Sequence, residues 1–173
     1  MGSKPRAVFD TGPLIHLAEI KKISFASLLY TIFITHEIQN ECLRNKIPLQ
    51  EVETLLVQAL SAQSKDFARY LGEKYNLDLG EATAIALCRQ ENISLFFSDD
   101  LDARETAHTF SFEVHGTLAI LLRAFREGLL TRDQTKKAVE ELSASSTLFL
   151  TKDLKDWTLR EIEGFNKKRV HLQ

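Results

Sequence analysis

The run Ala7-Val8-Phe9-Asp10-Thr11-Gly12-Pro13-Leu14-Ile15 constrains the fold more than any other stretch of the chain. Apolar residues suited to a buried strand lead straight into a carboxylate, then a turn, then the start of a helix. Gly12 permits a tight reversal. Pro13 suits the first turn of a helix, where its missing N–H costs nothing. Leu14, Ile15, Leu17 and Ala18 give that helix an apolar face. The order places Asp10 at the carboxyl end of the first strand, the edge where ligands bind in open α/β sheets. Asp is also a favoured helix cap, so position 10 by itself fits a structural role equally well.

The same alternation continues. Strand patterns occupy residues 6–10, 31–35, 94–98, 111–114 and, more weakly, 147–150. Helical patterns fill the gaps. Thr35 is placed to cap a helix carrying Ile38, Glu41 and Cys42. Gly80-Glu81 opens another with Ala84, Ile85, Leu87 and Cys88. Thr117 is placed to cap residues 118–126, with Gly128 closing that helix. Thr131 with Asp133 starts the next, and residues 153–165 read as a last one, so C-terminal helices are expected at about 131–170. Val52, Leu55, Leu56, Ala59 and Leu60 recur at helical spacing, and Phe67, Tyr70 and Leu71 suggest a further helix. The stretch 48–76 therefore reads as a helical arm beside the sheet. Strands alternating with helices predict a three-layer α/β/α fold around a parallel sheet of four to five strands. The 173 residues suit one domain spanning 1–173.

Composition narrows the function classes. No run of about 18 apolar residues occurs, so no membrane span is expected. Cys42 and Cys88 lie far apart among apolar helical positions and read as buried thiols, which suits a reducing, cytoplasmic setting. A net charge of −2 does not advertise a nucleic-acid binder, so any such binding needs a local basic patch.

The acids are where the pattern becomes informative. Glu41 follows Ile38 by three and adjoins Cys42, on or beside the apolar stripe. Glu81 shares a helix face with Ile85 and Cys88. Glu is rarely buried unless paired or metal-bound. Asp99-Asp100 follow Leu95-Phe96-Phe97-Ser98 and repeat the pattern around Asp10, which puts them at the same sheet edge. Plainer readings exist for each: Glu81 favouring a helix dipole, Asp99 as a cap, Glu41 at the margin of its stripe. Together they form a cluster that needs a counter-charge, because two carboxylates about 4 Å apart repel by roughly 4 kcal/mol at an effective dielectric near 20. No Lys or Arg immediately flanks Asp10, Glu41 or Glu81. An all-oxygen set selects Mg²⁺ or Mn²⁺ over zinc. His16, His36, His108, His115 and His171 show no pairing at ligand spacing and read as solvated or hydrogen-bonded.

Several motifs taken in order resemble the PIN-domain family. They are Asp10-Thr11-Gly12-Pro13-Leu14-Ile15, Ile38-x-x-Glu41-Cys42, Leu79-Gly80-Glu81-Ala82-x-Ala84-Ile85-Ala86-Leu87, Ser98-Asp99-Asp100-x-x-Ala103-Arg104-x-x-Ala107 and Val114-His115-Gly116-Thr117-Leu118-x-Ile120-Leu121. The resemblance runs from about residue 8 to 130 and extends to the prokaryotic branch that includes VapC-like toxins. It implies a ribonuclease with three or four acids around one or two Mg²⁺ or Mn²⁺ ions. By position, Asp10 matches the first acid, Glu41 the second and Glu81 the third, with Asp99 or Asp100 as the fourth. Thr11 and Gly12 stand where many members have Asn or Ser. The resemblance further implies an RNA substrate, the toxin role in a toxin–antitoxin pair, a protein antitoxin and a homodimer, with the 48–76 arm making dimer or antitoxin contacts. Candidate phosphate contacts are Arg104, Lys46, Arg44 and Lys21-Lys22. The alternative is a catalytically weak PIN-fold binding module in an RNA-processing or antitoxin complex. A fainter resemblance of residues 8–14 to haloacid-dehalogenase phosphatases fails at Gly12, where that family needs a second Asp.

Overall fold

Parallel strands buried on both faces need continuous apolar runs, and three segments of the chain supply them. They are β1 (Arg6–Phe9), β2 (Thr31–Thr35) and β4 (Leu95–Phe97), flanked by β3 (Leu55–Gln58) and β5 (Glu113–His115). The computed structural model describes residues 2–165; residues 166–170 of the expected C-terminal helices, and His171, lie outside that range. The five strands form one all-parallel sheet in the order β3-β2-β1-β4-β5. The order reverses between β1 and β4, so the connections leaving these two strands diverge and open a crevice at their carboxyl ends. Phe9 pairs with Phe97 across this junction. Their rings stack with centroids 4.6 Å apart, and Tyr30 tilts against Phe97 at 4.9 Å. The aromatic trio fills the core directly beneath the crevice.

The helices cover both faces of the sheet, as the alternating patterns predict. α1 (Thr11–Glu19) and α2 (Ser24–Leu29) pack with α7 (Thr117–Arg126), which carries α8 (Arg132–Ser145), which in turn carries α9 (Lys152–Gly164). α5 (Leu79–Glu91) lies against β1, β2 and β4 and is covered by α3 (His36–Arg44), α4 (Ala62–Tyr75) and α6 (Leu101–Thr109). Its residues from Ala82 to Cys88 are all buried, as a helix enclosed on all sides requires. Cys42 and Cys88 are free, buried thiols. Among the described residues, no helix is long and apolar enough to cross a membrane.

The structure departs from the sequence expectations in four places. Val52, Leu55, Leu56, Ala59 and Leu60 do not form a helix: Leu55–Gln58 is the edge strand β3, registered so that Leu55 faces Ile32 and Gln58 faces Thr35. A short apolar run fits either period, and here the free backbone edge of β2 decides in favour of pairing. Ser61 then caps α4, so the helical part of 48–76 is α4 together with a single 3-10 turn at Leu49–Glu51. Residues 147–150 make no strand; they run beside α1, where the Glu19 carboxylate accepts from the Thr147 N–H and hydroxyl. β5 begins at Glu113 rather than at 111, because Ser111 adopts a left-handed conformation (φ 63°) that ends the turn after α6. α2 had no counterpart among the expected elements.

Two substitutions separate core from edge. Phe97→Ala removes a fully buried ring and should cost about 3–5 kcal/mol. Leu56→Asp, on the 43% exposed edge position, should cost less than about 1 kcal/mol. Urea unfolding of both variants measures the difference.

Candidate active site

The crevice between β1 and β4 collects acids from four parts of the chain: the β1–α1 junction, α3, the start of α5 and the β4–α6 junction. Asp10 follows β1 and caps α1: its Oδ1 accepts from the Thr11 N–H at 2.8 Å, and its Oδ2 accepts from the Ser98 hydroxyl at 2.9 Å. Its own N–H donates to the Phe97 carbonyl at 2.9 Å, which locks it to the end of β4. The residue is only 6% exposed. Burial pushes its pKa up to about 7; the hydrogen bonds from Thr11 and Ser98 work against that rise, and the charges of Asp78 and Glu41 add to it.

α3 presents Glu41, whose Oε2 accepts from the Thr11 hydroxyl at 2.8 Å. Thr35 caps that helix, as its sequence indicates. The start of α5 supplies two more acids through a reciprocal capping box. Asp78 Oδ1 accepts from the Glu81 N–H at 2.8 Å, and Glu81 Oε2 accepts from the Asp78 N–H at 2.9 Å. Burial pushes Glu81 up to about 7, with Asp78, Asp100 and Asp10 adding repulsion. These acids meet over Gly80. A Cβ there would sit 3.2 Å from Glu41 Oε2, 3.3 Å from Asp78 Oδ1 and 3.9 Å from Asp10 Oδ1. The glycine thus lets three carboxylates from three elements approach one backbone position.

The adjacent pair after β4 divides into two roles. Asp100 caps α6, its Oδ1 accepting from the Ala103 N–H at 2.9 Å, and its charge acts on Glu81. Asp99 is filled by donors: Oδ2 accepts from His16 Nδ1 at 2.7 Å and from the Thr117 hydroxyl at 2.5 Å, and Oδ1 accepts from the Thr117 N–H at 2.8 Å. Burial alone would raise its pKa, but these hydrogen bonds outweigh it and hold Asp99 below the usual carboxylate range. Gly116, not Thr117, occupies the cap position of α7. The reason is contact, since a Cβ at Gly116 would lie 2.6 Å from Asp99 Oδ1.

All five acids singled out in the sequence, Asp10, Glu41, Glu81, Asp99 and Asp100, line one cleft of about 1110 Å³. Asp78 joins them and was missed; its spacing three before Glu81 is the capping-box signature that would have found it. Ser98, Thr11 and Thr117 hold the acids by hydrogen bonds, whereas the sequence marked Ser98 and Thr11 only as motif residues and Thr117 as a helix cap. Arg104 lines the cleft; Arg44, Lys46 and Lys21-Lys22 do not. Among the described residues, no three of the acids are drawn close enough to make a finished ligand shell. Their chemistry nevertheless suits a hard divalent cation. The donors are all oxygens, two of the acids carry pKa values raised by burial and, to a lesser extent, by neighbouring acids, and Glu41 and Glu81 have the side-chain length to swing an oxygen inward.

Residues 6–164 match a family model described as DUF3368, a PIN domain. The chain is also similar to the solved structure of a PilT N-terminus domain protein from the hyperthermophilic archaeon Sulfolobus solfataricus P2, at 18% identity and a TM-score of 0.49, over 69% of this chain and 92% of that one. No curated protein matches it. With the family match spanning nearly the whole chain and the acids gathered at the sheet's switch point, this protein belongs to the PIN-domain family, whose members are generally nucleases.

Proposed function

We propose that this PIN domain is an endoribonuclease that hydrolyses RNA phosphodiester bonds with Mg²⁺ or Mn²⁺. The observation that carries the reading is the convergence of Asp10, Glu41 and Asp78 on Gly80, with Glu81 and Asp100 alongside and Arg104 on the Asp99 side of the cleft. Asp10, Glu41, Glu81 and Asp100 would hold the ion. Once bound, it supplies positive charge to the phosphodiester and lowers the pKa of water. The chain's own residues do the rest. Ser98 and the Thr11 N–H fix Asp10 in place. The Thr11 hydroxyl aims Glu41 at the same point. Asp99 ties His16 and the start of α7 into the wall, as a positioning residue. Arg104 is the guanidinium available to a phosphate in the cleft. A toxin role in the cytoplasm, with a protein antitoxin and a homodimeric state, extends this reading along the resemblance to VapC-like proteins. The weak-turnover binding module remains the second reading, favoured by the net charge of −2.

Three outcomes test the proposal. Asp10→Asn keeps an oxygen for Thr11 and a donor for Ser98, so it should abolish Mn²⁺-dependent RNA cleavage while the metal-free protein holds or gains stability. Cleavage at the wild-type rate by the purified variant removes the catalytic assignment.

The raised carboxylates also set a pH dependence. The folded state keeps protons on Asp10 and Glu81 up to about 7, whereas the unfolded chain releases them near 3.8 and 4.5. More protons on the folded state mean that metal-free stability falls as pH rises between these limits. Thermal melts at about pH 5 and about pH 8 should show this loss, and Mn²⁺ should restore stability at the higher pH by mass action.

Glu81→Gln preserves the capping box, because the amide oxygen still accepts from Asp78. Calorimetric titration should show clearly weaker Mn²⁺ binding for this variant. Wild-type affinity should itself fall below about pH 7, as protons compete for the same oxygens. Equal affinity in both proteins takes Glu81 out of the site.

A further inference from the structure

The cleft holds a histidine that the acids do not account for. His16 Nδ1 lies 2.7 Å from Asp99 Oδ2. Asp99 also accepts from the Thr117 hydroxyl on Oδ2 and from the Thr117 N–H on Oδ1. Both of its oxygens act as acceptors, so Nδ1 carries the ring proton and donates it to Asp99. Nε2 is then the free nitrogen. Among the described residues, no buried side-chain nitrogen or oxygen lacks a hydrogen-bond partner, and Nε2 has none there, so Nε2 is open to solvent. His16 lines the cleft and its side chain is otherwise covered, at 12% exposure, which makes the cleft the space that Nε2 meets. An imidazole oriented by a carboxylate, with its other nitrogen bare, is the arrangement of a proton-transfer residue.

The first turn of α1 sets this pair beside the acids. Thr11 reaches Asp10 with its N–H and Glu41 with its hydroxyl. At the next residue, a Cβ on Gly12 would lie 3.7 Å from His16 Cε1 and 3.8 Å from Asp99 Oδ2. Arg104 stands on the same side. Its Nη1 is 3.3 Å from the position a Cβ would take on Gly116, and Asp99 Oδ1 is 2.6 Å from that position.

We propose that His16 gives its Nε2 proton to the leaving oxygen of the phosphodiester. The inference rests on the ribonuclease reading above and adds a residue to its reaction. In hydrolysis at phosphorus the attacking and leaving oxygens lie roughly in line. With water at the acids, the leaving oxygen is directed away from them, to the side of His16 and Arg104. The water oxygen bonds to phosphorus and releases a proton to solvent. The bond from phosphorus to the leaving oxygen breaks, and that oxygen takes the Nε2 proton. The imidazole keeps its Nδ1 proton on Asp99 and regains the other from solvent in the cleft. An alkoxide leaves poorly without a proton, whereas a thiolate needs none.

The test compares two RNA octamers in single turnovers with Mn²⁺. One is unmodified. In the other, sulfur replaces the bridging oxygen that leaves, identified from the ends of the cleaved products. His16→Asn keeps a donor for Asp99 in the place of Nδ1 and removes Nε2. It should cleave the oxygen octamer about 10²- to 10⁴-fold more slowly and the sulfur octamer near the wild-type rate. Its melting temperature and its Mn²⁺ affinity by calorimetry should stay near the wild type. His16→Gln should give the same split and serves where the Asn variant does not fold. A variant that cleaves the oxygen octamer as fast as the wild type overturns the proposal. Equal loss on both octamers also overturns it and makes His16 a structural or binding residue, while the nuclease reading stands. Wild type that binds no Mn²⁺ and cleaves neither octamer removes the nuclease reading, and the proposal with it.

Discussion

Burial of the Asp10 carboxylate at the end of a central strand is the constraint on which the rest of this structure turns. An acid withdrawn from water at the core's edge is costly unless something compensates it. Two hydrogen bonds, from Thr11 and Ser98, compensate part of the cost. The remainder appears as a pKa pushed up to about 7. Around Asp10 the fold places further acids: Glu41 from α3, Asp78 and Glu81 from the start of α5, and Asp100 from the cap of α6. Such an arrangement carries an electrostatic cost that protonation relieves.

The neighbouring acids avoid mutual expulsion because each also serves a local backbone need. Asp10, Asp78 and Asp100 cap α1, α5 and α6, and Glu81 closes the capping box of α5. Capping offsets part of the repulsion, since each carboxylate faces the positive end of a helix. The structural and functional readings of these residues are therefore not rivals. The same hydrogen bond that starts a helix also fixes a carboxylate's direction. Asp99 shows the other extreme: with three donors on its two oxygens it is spent on orientation, and Gly116 keeps the space that this contact needs.

The C-terminal part completes the cleft rather than the sheet. α8 and α9 stack on α7, and the segment between them runs along the mouth of the crevice. The cleft thus has an ionic end built by the ends of β1 and β4, and an apolar end built by elements added after the last strand.

Strand-to-carboxylate transitions at Asp10 and Asp99-Asp100, the Thr35 and Thr131 caps, the buried cysteines and the parallel α/β architecture were legible in the sequence. Each rests on local rules, namely period, capping and the burial of apolar runs, that hold whatever surrounds the segment. β3 was not legible. Leu55 and Leu56 fit a helix as well as a strand, and only the open edge of β2 selects between them. Residues 147–150 failed in the opposite sense, since a strand-like run found no edge to pair with. Asp78 entered the site only because the α5 capping box lies beside Asp10 and Glu41, a proximity that spans distant parts of the chain. The division of Asp99 from Asp100 likewise depended on His16 and Thr117, which approach from α1 and α7. The sequence by itself determined which acids stand at the ends of elements, because capping and strand burial are local. Which of them face a common point, and which are consumed by other partners, was decided by tertiary structure, because charge and hydrogen bonding act through space.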